Sequence, residues 1–174
     1  MIHSRLKNAR LARGLSLDQL AQAIEQEGVS LSKAALSKYE RGESCPAASL
    51  LPILARILSV DTHYFFEDAR NKVVWGEFRK SAKMGKKNQQ QLQAIASDSI
   101  QHLVWLEKAL LVKPEPSLNR SNRRPADTVE AAELTADKVR SSLGLDEGPV
   151  LGLIELLERH GVIVLTIDHI EDSE

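Results

Sequence analysis

Cysteine is nearly absent. The 174 residues hold one, Cys45. A single thiol excludes an intramolecular disulfide and a cysteine-cluster zinc site. Cys45 itself, beside Pro46 in a loop, is expected to be a partly buried structural residue. Aromatic residues make up 4% of the chain, so the core must be aliphatic. A large aromatic-lined ligand pocket is not expected. No apolar run approaches the roughly 20 residues that a membrane-spanning helix needs. Met1-Ile2-His3-Ser4-Arg5 leads directly into a charged helical pattern, without the apolar centre of a signal peptide. These absences predict a cytoplasmic protein with no membrane partner. The five histidines (His3, His63, His102, His160 and His169) never recur at i+3 or i+4, so no metal site is expected. Ser37 has a lysine neighbour but no oxyanion-stabilising loop, so no catalytic role, no enzyme activity and no cofactor is expected.

What the chain has is charge, unevenly placed. Apolar residues are 43% and charged residues 27%, ordinary for a folded protein, and the net charge is −1. Residues 1–67 hold 8 Lys+Arg and 7 Asp+Glu, net +1. Residues 68–125 hold 12 and 5, net +7, and residues 126–174 hold 3 and 12, net −9. Such asymmetry suggests a part that faces a polyanion and a separate acidic module.

Helix signals dominate. Ser16 precedes the apolar stripe Leu17, Leu20, Ala21 and Ile24, and with Gln19 it has the spacing of a capping box. Gly14 ends a preceding helix at about 2–13. Ser32 opens a second helix that Gly42 stops, with Arg41 in its last turn. Ser49 opens a third, with Pro52 in the first turn. Asp61 caps a short last helix holding Tyr64, Phe65 and Phe66. Five short helices in about 65 residues predict an all-α domain.

Residues 69–90 are basic and polar. A longer stripe follows, Leu92, Ile95, Ala96, Ile100, Leu103, Leu106 and Leu110, with Trp75 and Trp105 as expected anchors. This face is expected to pack, and a dimer contact is the favoured use. Residues 113–125 read as an exposed linker. A helix at about 128–142 should turn Val129, Ala132, Ala136, Val139 and Leu143 to one side. Pro149 should open another, with Val150, Leu153, Ile154 and Leu157 inward. Residues 162–167 form the one convincing strand, and its backbone needs a partner strand. The predicted organisation is therefore residues 1–67, a joint and long helix over 68–112, the linker, and an acidic α-α-β segment over 126–174.

The helices from Ser16 and Ser32 suit a helix-turn-helix. The second must bury one face, here Leu36 and Tyr39, and expose short polar or basic side chains, here Lys33, Ala34, Ser37 and Lys38. Lysine can donate to guanine O6 and N7, serine can bond several base edges, and the alanine methyl can touch a thymine methyl. Helix N-termini favour phosphate.

Residues 5–66 resemble the Cro/C1-type helix-turn-helix domain of phage repressors, the XRE family. The resemblance is carried by Arg5-Leu6-Lys7, Arg10, Gly14-Leu15-Ser16, Leu20-Ala21, the run from Leu36 to Glu43, Pro46, and the run from Leu54 to Val60. It implies a five-helix, lambda repressor-like DNA-binding fold in a mainly α chain. It also implies that Lys33, Ala34, Ser37 and Lys38 read bases, and that Ser16, Leu17 and Arg41 approach phosphate. Arg10 and Glu40 would form a structural ion pair. The segment 25–31 is longer than the phage repressors' tight turn, so either the second helix runs on or the turn bulges.

The remainder resembles regulators with a C-terminal ImmA/IrrE-type metallopeptidase module, through Ala131-Ala132, Val139-Arg140, Leu143-Gly144-Leu145, Gly148-Pro149, Leu156-Leu157-Glu158 and Gly161-Val162. Only the module's first two helices and first strand are covered and no HExxH occurs, so no peptidase activity is implied. The expected function is a DNA-binding transcriptional regulator, a repressor that binds double-stranded DNA at an inverted repeat as a homodimer. The alternatives are an antitoxin, with a toxin or regulator held by the acidic segment, and a fragment of a metallopeptidase-linked stress regulator.

Overall fold

Serine oxygens and left-handed residues set the helix boundaries. The computed structural model describes residues 2–67, 73–75, 84–111 and 127–167. The first helix, α1, is Ile2–Ala12. Gly14, at φ +65°, turns the chain into α2, Leu17–Gln26. Ser16 starts α2 with a complete capping box: its hydroxyl accepts from the Gln19 amide at 3.1 Å, and the Gln19 side chain accepts from the Ser16 amide at 2.8 Å. The Ser32 hydroxyl accepts from the Ala35 amide at 3.2 Å and starts α3, Lys33–Arg41. Gly42, at φ +75°, closes α3 in the left-handed region. The third helix does not open at Ser49: that residue lies inside a 3-10 turn, Ala48–Leu50, which feeds α4, Leu51–Leu58, without a side-chain cap. Pro52 sits in the first turn of α4, where the ring displaces no helical hydrogen bond. The helix expected after Asp61 is a 3-10 turn, Thr62–Phe66, capped by the Asp61 carboxylate.

These elements close on one aliphatic core. Leu6, Leu20, Ile24, Leu36, Leu54 and Phe65 are all fully buried, with Ala9, Leu51, Leu58 and Tyr64 around them. Burying each large side chain contributes about 1.5–3 kcal/mol. The connection between α2 and α3 both extends the helix and turns: α2 runs to Gln26, and Gly28, at φ +80°, then redirects the chain. Val29 and Leu31 pack against the core, and Arg56 of α4 holds Glu27 at 2.8 Å.

A longer helix, α5, is Lys86–Ala109. Its first half lies on α1. Gln91 donates to the Ala12 carbonyl at 3.1 Å, and Asn8 donates to the Ala94 carbonyl at 3.3 Å. Ala94 and Ala96 are buried. Asp98 accepts from the Tyr64 hydroxyl at 2.9 Å and pairs with Arg5 at 3.3 Å. Arg5 also stacks over the Tyr64 ring, 4.9 Å from its centre. The stripe from Leu92 to Leu110 is covered only in part: Leu103, Leu106 and Leu110 are exposed. Trp105 is 65% exposed and Trp75 38%, so neither is the buried anchor expected of it.

Contacts divide the chain at Trp105 and Leu106, the second unit being Leu106–Thr166. It holds α6, Val129–Ser142, capped by Thr128, and α7, Leu153–Arg159. Arg140 donates to the carbonyls of Asp146 and Gly148 and ties the loop between them. The apolar face of α6 is open, with Val129 and Val139 exposed. Two expectations are corrected here. The helix expected from Pro149 starts only at Leu153, because Gly152 takes a left-handed conformation; Leu156 is buried while Leu153 and Ile154 are exposed. The strand expected over 162–167 has no ladder, because no other described segment offers a pairing edge. Most of the basic stretch 69–90, the linker 113–125 and the acidic end after Ile167 lie outside the described residues. No helix among the described residues is long and apolar enough to cross a membrane.

Candidate nucleic-acid interface

α3 presents two faces because its apolar residues recur at helical spacing. Leu36 is buried and Tyr39 half-buried against the core. On the other side, Lys33, Ala34 and Lys38 are exposed and Ser37 is half-buried. One end of the helix is held by a buried ion pair. The Arg10 guanidinium donates to both Glu40 oxygens, at 2.6 and 2.8 Å, and to the Leu15 carbonyl at 2.7 Å. Both side chains are less than 10% exposed. This two-pronged contact fixes α3 against α1 and the turn into α2.

The exposed cations are not free. Lys33 pairs with Asp18, in the first turn of α2, at 2.6 Å. Arg41 is held by Glu43 and donates to the Ser37 hydroxyl. The Glu43 hydrogen bond raises the Arg41 pKa, and the Arg41 hydrogen bond holds the Glu43 carboxyl below the usual range. Lys38 adds its charge to the same field around Glu43. Three cations on this helix, Lys33, Lys38 and Arg41, therefore meet two acids, Asp18 and Glu43. Every expected contact residue on α3 lies on or beside the exposed face. Ser16 and Leu17 stand at the start of α2, exposed and half-buried.

Sequence reasoning missed the two acids. Glu43, two residues from Arg41, was legible as a partner. Asp18 lies 15 residues from Lys33, and only the packing of α2 on α3 joins them. Lys87, a residue of the basic stretch, and Gln90 belong to α5, and their placement beside the start of α2 had no signal in the sequence. With Arg10, Leu11, Gly14, Leu15 and Ser16 they line a small cavity of about 170 Å³. Cys45 is exposed, not partly buried. Among the described residues no three His, Cys, Asp or Glu side chains group to hold a metal ion.

A family model described as helix-turn-helix matches residues 6–65. No curated protein and no solved structure matches the chain. The family match supports a DNA-binding regulator of transcription of the XRE type, and α1 to the 3-10 turn at Thr62–Phe66 make up the matched domain. The match does not reach residues 126–174, so the ImmA/IrrE resemblance of that segment gains no support from it.

Proposed function

We propose that the chain is a sequence-specific repressor that binds an inverted-repeat operator as a homodimer, with α3 in the major groove. The observation that carries this reading is the exposed face of Lys33, Ala34, Ser37 and Lys38 on a helix whose other face and end are fixed by Leu36 and the Arg10–Glu40 pair. Those four side chains would read bases, and Ser16, Leu17 and Arg41 would meet phosphates. A major-groove helix requires rigid presentation, because each base contact depends on side-chain placement. Lys33 and Arg41 would exchange Asp18 and Glu43 for DNA. Leu103, Trp105 and Leu106, exposed on α5, favour pairing of two copies. Two copies would place two α3 helices about one helical turn of DNA apart.

A second reading has its own support. Leu151, Leu153 and Ile154 are exposed in an acidic segment, which suits a protein partner such as a toxin. A small partner protein encoded beside this gene and copurifying with residues 126–174 would favour it.

The test is titration into a duplex from the gene's own upstream region, beside a scrambled duplex, at two salt concentrations. A preference of roughly a hundredfold or more, weakening steeply with salt, is expected. Equal and weak binding to both duplexes would overturn the reading.

A further inference from the structure

The start of α2 is a poor phosphate site on its own. Ser16 has its amide and its hydroxyl oxygen committed to the capping box, and Asp18 places a carboxylate in the first turn. The three cations Lys33, Lys38 and Arg41 of α3 exceed by one the two acids that face them, Asp18 of α2 and Glu43 beyond Gly42. An interface that binds a polyanion needs further positive charge close by, because each phosphate contact contributes through the counterions it releases. α5 brings that charge. Its register on α1 is set by Gln91 on the Ala12 carbonyl and Asn8 on the Ala94 carbonyl. Gly14 permits the approach: a Cβ there would stand 2.9 Å from the Gln91 side-chain oxygen. In this register Lys87 and Gln90 line the same small cavity as Gly14, Leu15 and Ser16. Lys87 is exposed and forms no ion pair among the described residues.

We infer that Lys87, with Gln90 beside it, contacts the DNA backbone phosphate that faces the start of α2, so that α5 forms part of the DNA-binding surface. The inference rests on the helix-turn-helix reading above. The contact carries no base information. It adds affinity equally to every sequence and positions α3 along the groove. It also makes phosphate binding depend on the docking of α5 against α1.

Binding to the upstream and scrambled duplexes, measured over a series of salt concentrations, tests it with the full chain. Lys87→Gln should weaken both duplexes by the same factor, roughly 3- to 10-fold. It should also reduce the slope of log affinity against log salt by about one. Lys87→Arg should restore both. Lys108→Gln removes the same charge about 30 Å away along α5, beyond the screening length, and should leave the slope unchanged. An unchanged slope in Lys87→Gln, with Lys38→Ala still lowering the preference for the upstream duplex, overturns the inference and leaves the reading intact. Wild-type protein that binds both duplexes equally and weakly overturns the reading, and the inference with it.

Discussion

Arg10 and Glu40 illustrate how much one buried pair can hold. Each guanidinium nitrogen facing Glu40 has a carboxylate oxygen, and a third donates to the Leu15 carbonyl. Removing one partner leaves an uncompensated charge in a site less than 10% exposed. Glu40→Ala is expected to destabilise the domain by about 3–5 kcal/mol, read as a large fall in melting temperature. A melting temperature within a degree of wild type would show that water reaches Arg10 freely. Tyr64 supplies a pH signature. Burial pushes its phenol up to about 12, against the Asn8 hydrogen bond and with the Asp98 carboxylate adding to the rise. Between pH 10 and 12 the unfolded chain releases this proton and the folded one keeps it, so stability falls as pH rises through that window. Tyr64→Phe removes the ionisation and should flatten the alkaline loss of thermal stability. An equally steep loss in the variant would assign it to other groups. Asp98 is also held above the usual carboxylate range by burial, which the Tyr64 hydrogen bond and the Arg5 charge only partly offset.

At the scale of elements, boundaries are set locally and placement is not. The capping box at Ser16 joins residues three apart, so it could be read directly from the sequence. Ser16→Ala should cost about 1 kcal/mol, measured by chemical denaturation. No measurable cost would mean that α2 is held by packing alone. The apolar stripes of α2 and α4 were legible for the same reason: helical period puts Leu20 with Ile24, and Leu51 with Leu54 and Leu58, on one side. The helix expected from Pro149 failed because proline at a first turn permits a helix but does not compel one. The left-handed Gly152 delays it to Leu153. The apolar run over 162–167 has strand character, but a strand is a pairing and needs a neighbour. The register of α5 on α1 had no local signal, since Asn8, Gln91 and Asp98 look like solvated polar residues in the chain.

At the scale of the whole molecule, the helix-turn-helix domain holds the aliphatic core, whereas beyond it only Ala94, Ala96 and Leu156 are buried apolar residues among the described ones. Leu103, Trp105 and Leu106 remain exposed on α5. If these side chains join two copies, Trp105→Ser with Leu106→Ser should halve the particle mass measured by sedimentation. Operator binding should weaken at least tenfold while the melting of the N-terminal domain stays the same. An unchanged mass would remove α5 from the dimer contact. The uneven charge has its meaning at this scale too. A net of −1 hid a division into +1, +7 and −9.

By itself the sequence determined the starts of α2 and α3 at Ser16 and Ser32, the stop of α3 at Gly42, the face of α3 that is buried and the face that is exposed. All of these follow from spacing within a few residues, where backbone geometry alone dictates what can meet. The tertiary structure alone decided that Asp18 takes Lys33, that α5 docks on α1 through Asp98, Arg5 and Tyr64, and that Lys87 stands beside Ser16. Those pairs are separated by 15 to 93 residues. No local rule links such positions. They meet because burying the shared aliphatic core leaves the surrounding helices few ways to pack.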